Sequence, residues 1–355
     1  MSDFQPCCLP LLIGSVPLSD HRQAVELIFD YTPEVPLWPQ LPVHRQEGMI
    51  AQFLPGFPGV DNCDGKVFVN MESASFDEEF LAFFEEYLLV TEAGGSLEGS
   101  RFALTSEIAE GFFAFLDYAA ARKQTISAVK GQVTGPVTFC TGVVDQSGRA
   151  IFYNDQLRDA AVKMLALKGA YQARRLAEVA RPALVFFDEP GLAGFGTSAF
   201  ITITKEDIVA CLGEVFAAVK REGGLCGVHV CANTEWSLLL ETAVDVVSYD
   251  AFGYFDRLAL YGRQLADFLA RGGILATGIV PTAADKIGDV SVAGLVKTWF
   301  AQTAQLESMG IPRKTVYQQS FITPSCGTGT ITEDQAKRVM ALTRDVSEEI
   351  RRRVQ

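Results

Sequence analysis

Short apolar runs alternate with amphipathic stretches along the whole chain. The apolar runs predict buried strands at residues 9–13, 66–70, 125–130, 183–187, 225–230, 245–249, 273–278 and 315–321. Apolar positions at helical spacing predict helices at about 20–30, 77–90, 105–122, 155–179, 204–221, 234–241, 257–270, 291–309 and 332–353. Strands separated by helices pair in parallel through crossover connections. We therefore expect an α/β fold, a single (β/α)8 TIM barrel over residues 1–355, with an N-terminal strand–helix start.

A proline-rich segment interrupts this alternation at residues 33–42. It contains Pro33, Pro36, Pro39 and Pro42, with Trp38 between them. Proline cannot donate a backbone hydrogen bond, so the segment is predicted to be irregular. We expect it to be one of several extra loops over the face of the barrel where the strands end.

Charge and hydropathy exclude several classes of protein. The 355 residues carry a net charge of −13 with scattered basic residues, so we expect no nucleic-acid partner. No apolar run approaches the ~20 residues that a membrane span needs. The N-terminal residues lack a basic leader and a long apolar core, so we expect no signal peptide. The eight cysteines are then expected to be reduced thiols in a cytoplasmic protein.

Polar residues collect where predicted strands end. They are Gly14 and Ser15, Asp188 and Glu189, His229 and Cys231, Asp250, and Cys326. The active sites of (β/α)8 barrels lie at the carboxyl ends of the strands. This coincidence predicts a functional site at that end, with Glu189 turned away from the mouth in a structural role.

His229 and Cys231 are two residues apart, so a strand running through them puts both side chains on one side. A core histidine beside a buried cysteine would give the same pair. Cys326 follows the eighth predicted strand in a turn with flanking glycines, and in a closed barrel it can meet the other two. Two thiolates and one imidazole suit Zn²⁺ and leave one position for water or a substrate. The residues indicate thiol activation, with hydrolysis as an open alternative.

Five short motifs, taken together and in order, resemble the catalytic half of cobalamin-independent methionine synthase. They are Ile-Gly-Ser-Val-Pro at 13–17, Gly-Pro-Val-Thr at 135–138, Phe-Asp-Glu-Pro at 187–190, His-x-Cys at 229–231 and Pro-Ser-Cys-Gly at 324–327. The likeness extends to uroporphyrinogen decarboxylase and the zinc-dependent corrinoid-protein:thiol methyltransferases. It implies a methyltransferase of methionine biosynthesis.

The resemblance also implies roles for single residues. His229, Cys231 and Cys326 would be the zinc ligands, and Asp250 stands where the family has a carboxylate ligand or catalytic group. Asp188 would hold the amino group of homocysteine, with Glu72 as a second carboxylate. Gly14 and Ser15 would bind the carboxylate of homocysteine.

The methyl donor is the least determined part of this hypothesis. The chain is about half the size of the folate-using enzyme, so a methyl-corrinoid on a corrinoid protein is expected as donor, with methyl-folate as the other choice. Two alternatives stay open. One is a decarboxylase like uroporphyrinogen decarboxylase, which would need a basic cleft. The other is a non-catalytic partner of a corrinoid protein, with a structural zinc closed by four protein ligands.

Overall fold

A parallel sheet of six strands, which lie side by side in chain order, is at the centre of the fold. The structure is a computed structural model, and it describes residues 4–63, 65–197, 200 and 202–354. The strands, numbered in chain order, are β1 (Val60–Cys63), β2 (Lys66–Val69), β3 (Val129–Thr134), β4 (Ala183–Asp188), β5 (Leu225–Val230), β6 (Val246–Tyr249), β7 (Ile274–Val280) and β8 (Ser320–Pro324).

Helices flank the sheet and connect its strands. They are α1 (His21–Tyr31), α2 (Phe76–Thr91), α3 (Glu110–Ala120), α4 (Pro136–Gly142), α5 (Asp155–Leu176), α6 (Lys205–Arg221), α7 (Ser237–Leu240), α8 (Ala251–Leu258), α9 (Gly262–Ala270), α10 (Val292–Ser308), α11 (Arg313–Gln318) and α12 (Glu333–Val354). None of the helices in the described ranges has the length and apolar character that crossing a membrane requires.

The α/β class is confirmed, but the eight regular strands of the predicted barrel are not all present. Two irregular extended segments continue the edges of the six-stranded sheet. The Leu11 N–H donates to the Ile322 carbonyl of β8 at 2.9 Å, and the Lys130 N–H of β3 donates to the Pro36 carbonyl at 3.0 Å. The two segments also contact each other, through a single parallel bridge between Ser15 and Gln40.

The prediction of a regular strand at 9–13 is therefore wrong. This segment makes only a single bridge to β8, at Pro10. The Ile322 N–H donates to Leu9, and the Leu11 N–H donates back to Ile322. The next donor due on β8 is Pro324, which has no N–H to extend the ladder. The proline-rich segment was predicted to be a loop, yet its residue Leu37 bridges to Lys130 at the other edge of the sheet. Prolines on both sides of Leu37 keep this contact to an isolated bridge.

The strand predicted at 66–70 exists, but it lies outside the parallel sheet. As β2 it pairs antiparallel with β1 in a hairpin. Gly65 in the connecting turn has φ of 79°, a left-handed conformation that suits glycine in such turns. All four residues of β1 are exposed, as are the first two of β2, so the hairpin adds little to the core.

Other boundaries also differ from the prediction. The strand predicted at 125–130 is shifted along the chain and forms β3. Its second half contains the polar residues Gln132 and Thr134, which are nevertheless buried in the sheet. The stretch 315–321 contains the end of α11 followed by the start of β8. Its apolar residue Val316 is buried as part of the helix, and the strand begins only at Ser320. The helix predicted at 257–270 is divided into α8 and α9 by a 3-10 turn.

The two faces of each strand serve two different cores. In β4, Leu184 and Phe186 point into a core enclosed by the sheet, together with Leu9 and Phe321. The intervening Phe187 packs into the larger core between sheet and helices. Because side chains alternate along a strand, the next residue on the inner face after Phe186 is Asp188. The enclosed apolar core thus ends just below the carboxyl ends of the strands.

Candidate metal centre

A row of polar side chains crosses the sheet at the carboxyl ends of four neighbouring strands. Thr134 of β3 is in register with Asp188 of β4, Asp188 with His229 of β5, and His229 with Ser248 of β6. Residues in register on adjacent strands point to the same face of a sheet. All four side chains therefore project from the face that bears the enclosed core.

His229 is held in one orientation by this row. Its Nδ1 lies 2.9 Å from the Ser248 hydroxyl oxygen, while its Nε2 is buried without a hydrogen-bond partner among the described residues. A buried polar atom without a partner is costly unless a ligand satisfies it. With Nδ1–H donating to Ser248, Nε2 keeps the lone pair that a metal needs.

His229, Cys231 and Cys326 meet at this point. Their ligand atoms all lie within 4.8 Å of one another, and no fourth side chain of the described residues belongs to the group. Ligands that share one tetrahedral zinc lie roughly 3.3–3.8 Å apart, so small side-chain adjustments would seat one ion. The donor set of two sulfurs and one imidazole nitrogen fits Zn²⁺.

The pKa values of Cys231 and Cys326 are shifted in opposite directions. Contacts with the thiol of Cys326 and, to a lesser extent, with the imidazole of His229 lower the pKa of Cys231 to about 4. The pKa of Cys326 is raised well above its ordinary range by its hydrogen bond with Cys231 and by burial. Before any metal binds, Cys231 is therefore the more acidic of the two thiols.

The loop that carries Cys326 is fastened to the Ser15 turn. The Thr328 N–H and hydroxyl donate to the Ser15 carbonyl at 2.9 and 3.0 Å, and the Gly329 N–H donates to the Ser15 hydroxyl at 3.3 Å. A Cβ on Gly327 would lie 2.2 Å from the Ser15 hydroxyl oxygen. The glycines are thus required by close approach to Ser15, which fixes the position of Cys326.

The three residues open onto a cavity of about 290 Å³. The cavity is lined by Ile13, Gly14, Ser15, Gln40, Pro42, Glu47, Met49, Thr134, Asp188, Pro190, His229, Cys231, Cys326, Gly327 and Thr330. The sequence predicted that Gly14, Ser15 and Asp188 would lie beside the metal ligands, and the structure places them in the same cavity. A vacant coordination position would therefore face a space that accepts a small molecule.

Asp188 has an unsatisfied oxygen in this cavity. Its Oδ1 is buried and has no hydrogen-bond partner within the described part of the chain. Burial raises the pKa of Asp188, and the charge of Lys130 opposes that shift. Lys130 is itself buried and donates to the Ile13 carbonyl and to Gln132 at 3.3 Å. Asp188 is thus placed to accept a hydrogen bond from a ligand.

Two other predicted residues lie elsewhere. Asp250 caps α8, where its Oδ1 accepts from the Gly253 N–H at 2.8 Å, and it is outside the group of three ligand atoms. Glu72 is exposed in the loop before α2 and does not line the cavity. The roles of Asp250 as a ligand and of Glu72 as a substrate carboxylate stay predictions.

Several residues at the site were not identified from the sequence. Ser248 could have been found from its register with His229, as a single polar residue inside an apolar strand. Glu47 and Gln40 come from irregular segments, where no periodicity shows which side chains turn inward. Glu47 is nevertheless only 3% exposed.

Glu189 is turned away from the cavity, as predicted, and is buried against the start of α4. Its carboxylate accepts from the N–H of Val137 at 2.8 Å, and from the N–H and hydroxyl of Thr138 at 2.8 and 2.6 Å. Burial raises the pKa of Glu189 from the ordinary 4.5 to about 7 despite these bonds. Glu189 therefore ties β4 to the Gly-Pro-Val-Thr turn.

We expect Glu189→Gln to lower the free energy of unfolding by about 1–3 kcal/mol at pH 5, because its amide NH₂ faces the donors of Thr138. A raised pKa means that this carboxyl stabilises the fold most below pH 4.5 and loses that contribution as pH rises through about 7. The gap between wild type and variant should thus narrow from pH 5 to pH 8 in urea unfolding. A gap independent of pH would contradict this account.

Comparison with known proteins gives likeness in fold only. No family model and no curated protein matches the chain. A methyltransferase from Methanosarcina mazei aligns over 97% of this chain and 94% of its own, with a TM-score of 0.52 and 13% identity. A B12-independent methionine synthase from Shewanella sp. W3-18-1 aligns over 68% and 67%, with a TM-score of 0.48 and 16% identity. At these identities the first shows a shared fold, and the second, weaker alignment carries no argument.

Proposed function

We propose that this chain is a zinc-dependent methyltransferase that moves a methyl group to a thiol acceptor such as homocysteine. The observation that carries the proposal is the convergence of His229, Cys231 and Cys326 on one open cavity. We also propose that the two extended segments take the places of the first two strands of a (β/α)8 barrel. The fold is shared with a protein described as a methyltransferase, which agrees with the proposed methyl transfer.

His229, Cys231 and Cys326 would hold the zinc, with Ser248 fixing the imidazole. Zinc bound there would favour the deprotonated form of a thiol that enters the cavity. The chain's own residues then position the acceptor, so that its sulfur attacks the methyl carbon in line with the bond that breaks. The methyl carbon gains a bond to sulfur and loses its bond to the donor, which keeps that electron pair.

The lining of the cavity favours an acceptor with an amino group. Two carboxylates, Asp188 and Glu47, face it, and none of the residues that line it is lysine or arginine. An ammonium group would find a partner in Asp188, whereas a sulfonate such as that of coenzyme M would lack a cationic partner. Gly14 and Ser15 lie at the same wall and are proposed to bind the acceptor's carboxylate.

The size of the cavity favours a donor that stays outside. A volume of about 290 Å³ suits one small thiol. This volume is below that of most sites for larger ligands. A corrin ring would have to present its methyl group at the mouth. We therefore propose a methyl-corrinoid on a partner protein as donor, ahead of methyl-folate.

The alternatives have less support. A decarboxylase of a polyacidic substrate needs cationic side chains, which the cavity lining lacks. A structural zinc is closed by four protein ligands, whereas only three side chains of the described residues meet here. The open arrangement suits a reacting site.

The test is a matrix of donors and acceptors on zinc-loaded protein. Methylcobalamin and methyl-folate are each incubated with homocysteine and with coenzyme M, and methylated thiol is measured by mass spectrometry. We expect methylcobalamin with homocysteine to give product. Absence of product in all four combinations, with zinc content near one per chain, would count against the proposal.

A further inference from the structure

Three ionisable side chains lead from the wall of the cavity to the surface. Glu47 lines the cavity, and its Oε1 lies 2.5 Å from the Nε2 of His21 in α1. The other ring nitrogen of His21, Nδ1, lies 3.4 Å from the carboxylate of Glu110 in α3. The exposed fractions of the three side chains are 2%, 7% and 68% in that order. The series therefore joins the wall of the cavity to the protein surface.

The surrounding structure holds this series in place. The second oxygen of Glu47 accepts from the Leu41 N–H at 2.7 Å. The His21 ring stacks on His44 with centroids 5.1 Å apart and planes at 18°. A Cβ on Gly111 would lie 2.2 Å from the Pro39 carbonyl, so a glycine at the start of α3 lets Glu110 approach His21. Glu47, Glu110 and His44 are titratable side chains of the described residues that contact the ring of His21.

The proposed reaction requires a proton to leave the cavity. An acceptor enters as a thiol and reacts as a thiolate, so its S–H bond must break while the electron pair stays on sulfur. The unsatisfied Oδ1 of Asp188 is buried and makes no hydrogen bond that continues outward among the described residues. Of the two carboxylates in the lining, Glu47 is the one whose hydrogen-bond partner leads to the surface.

We propose that Glu47, His21 and Glu110 form the exit route for the acceptor's proton, an inference that rests on the proposed function. Glu47 takes the proton from the thiol and passes it to Nε2 of His21. The imidazole releases its other proton from Nδ1 to Glu110, which exchanges it with water. No oxidant or further reactant is needed, since one proton leaves the sulfur and one reaches solvent.

The experiment follows proton release directly. Homocysteine is mixed with zinc-loaded protein in weak buffer, and a pH-indicator dye records the release in a stopped-flow instrument. We expect Glu47→Gln to slow this step by about 100-fold, within the range for loss of a positioned acid–base group. Glu110→Gln should slow it several-fold. Glu107→Gln, which removes the same charge from an exposed site three residues earlier, should not change it.

A second readout separates this inference from the proposed function. Cobalt-substituted protein reports entry of the thiol sulfur through a charge-transfer absorption band. If homocysteine produces the band in wild type and in Glu47→Gln while both release the proton equally fast, the exit route is wrong. If wild type shows no band, the proposed function fails and the exit route with it. Should Glu47→Gln not fold, equal rates for Glu110→Gln and Glu107→Gln would overturn the proposal.

Discussion

Cys326→Ala is expected to leave a folded protein that has lost its zinc and its methyl transfer. Cys326 lies in a loop beyond β8, so its side chain contributes little to the core. Mutation of a residue that only hydrogen-bonds to a metal ligand typically lowers metal affinity or activity by about 10–100-fold. Removal of a ligand itself should therefore lower zinc affinity by more than about 100-fold. Metal analysis of the purified variant and the methylcobalamin assay measure the two losses, and His229→Ala should match it in both.

Two further variants calibrate this result. Cys63→Ser changes an exposed cysteine in the β1–β2 hairpin and should retain full zinc. Ser248→Ala leaves all three ligands but frees the His229 ring, so zinc affinity should fall only by about 10–100-fold. Full zinc retention in Cys326→Ala would remove the metal assignment altogether.

Asp188→Asn is expected to raise KM for homocysteine by roughly 30-fold or more, because removing one partner of a buried charge pair costs about 2–5 kcal/mol. The side chain keeps its shape, so zinc content should change little, whereas the buried Lys130 loses the charge of Asp188 and the free energy of unfolding should fall. Steady-state kinetics at saturating donor would show the effect in KM more than in kcat.

The control for Asp188→Asn is the acceptor itself. A thiol without an amino group, such as mercaptoethanol, has nothing for Asp188 to bind and should react equally well with wild type and variant. If the variant loses both acceptors in proportion, Asp188 acts on the metal ligands or the fold and does not select the substrate.

The sequence was sufficient for the features that depend on local periodicity. The strands before Asp188 and His229 and the capped start of α6 at Thr204 follow from apolar spacing and short-range hydrogen bonds. The proximity of Cys326 to His229 could also be predicted, because the carboxyl ends of parallel strands lie at the same edge of the sheet. These inferences need only the order of the elements.

The sequence did not predict the positions of residues in irregular segments that lie along the edge of the sheet. The segment with Pro36 and Pro39 lies against β3, and its polarity pattern gives no period to recognise. The inward turn of Glu47 depends on its partner His21, which is distant in sequence and belongs to another helix. Such a contact is decided by tertiary packing, which the local pattern does not contain.

The fastening of the Cys326 loop to Ser15 has a consequence for biosynthesis. Ser15 and Thr328 are 313 residues apart in the chain, and the other two candidate ligands lie between them. A nascent chain on the ribosome can fold most of its helices and strands before residue 326 has emerged. We therefore expect zinc to bind only after Cys326 has been translated, when most of the elements that surround the site can already have formed.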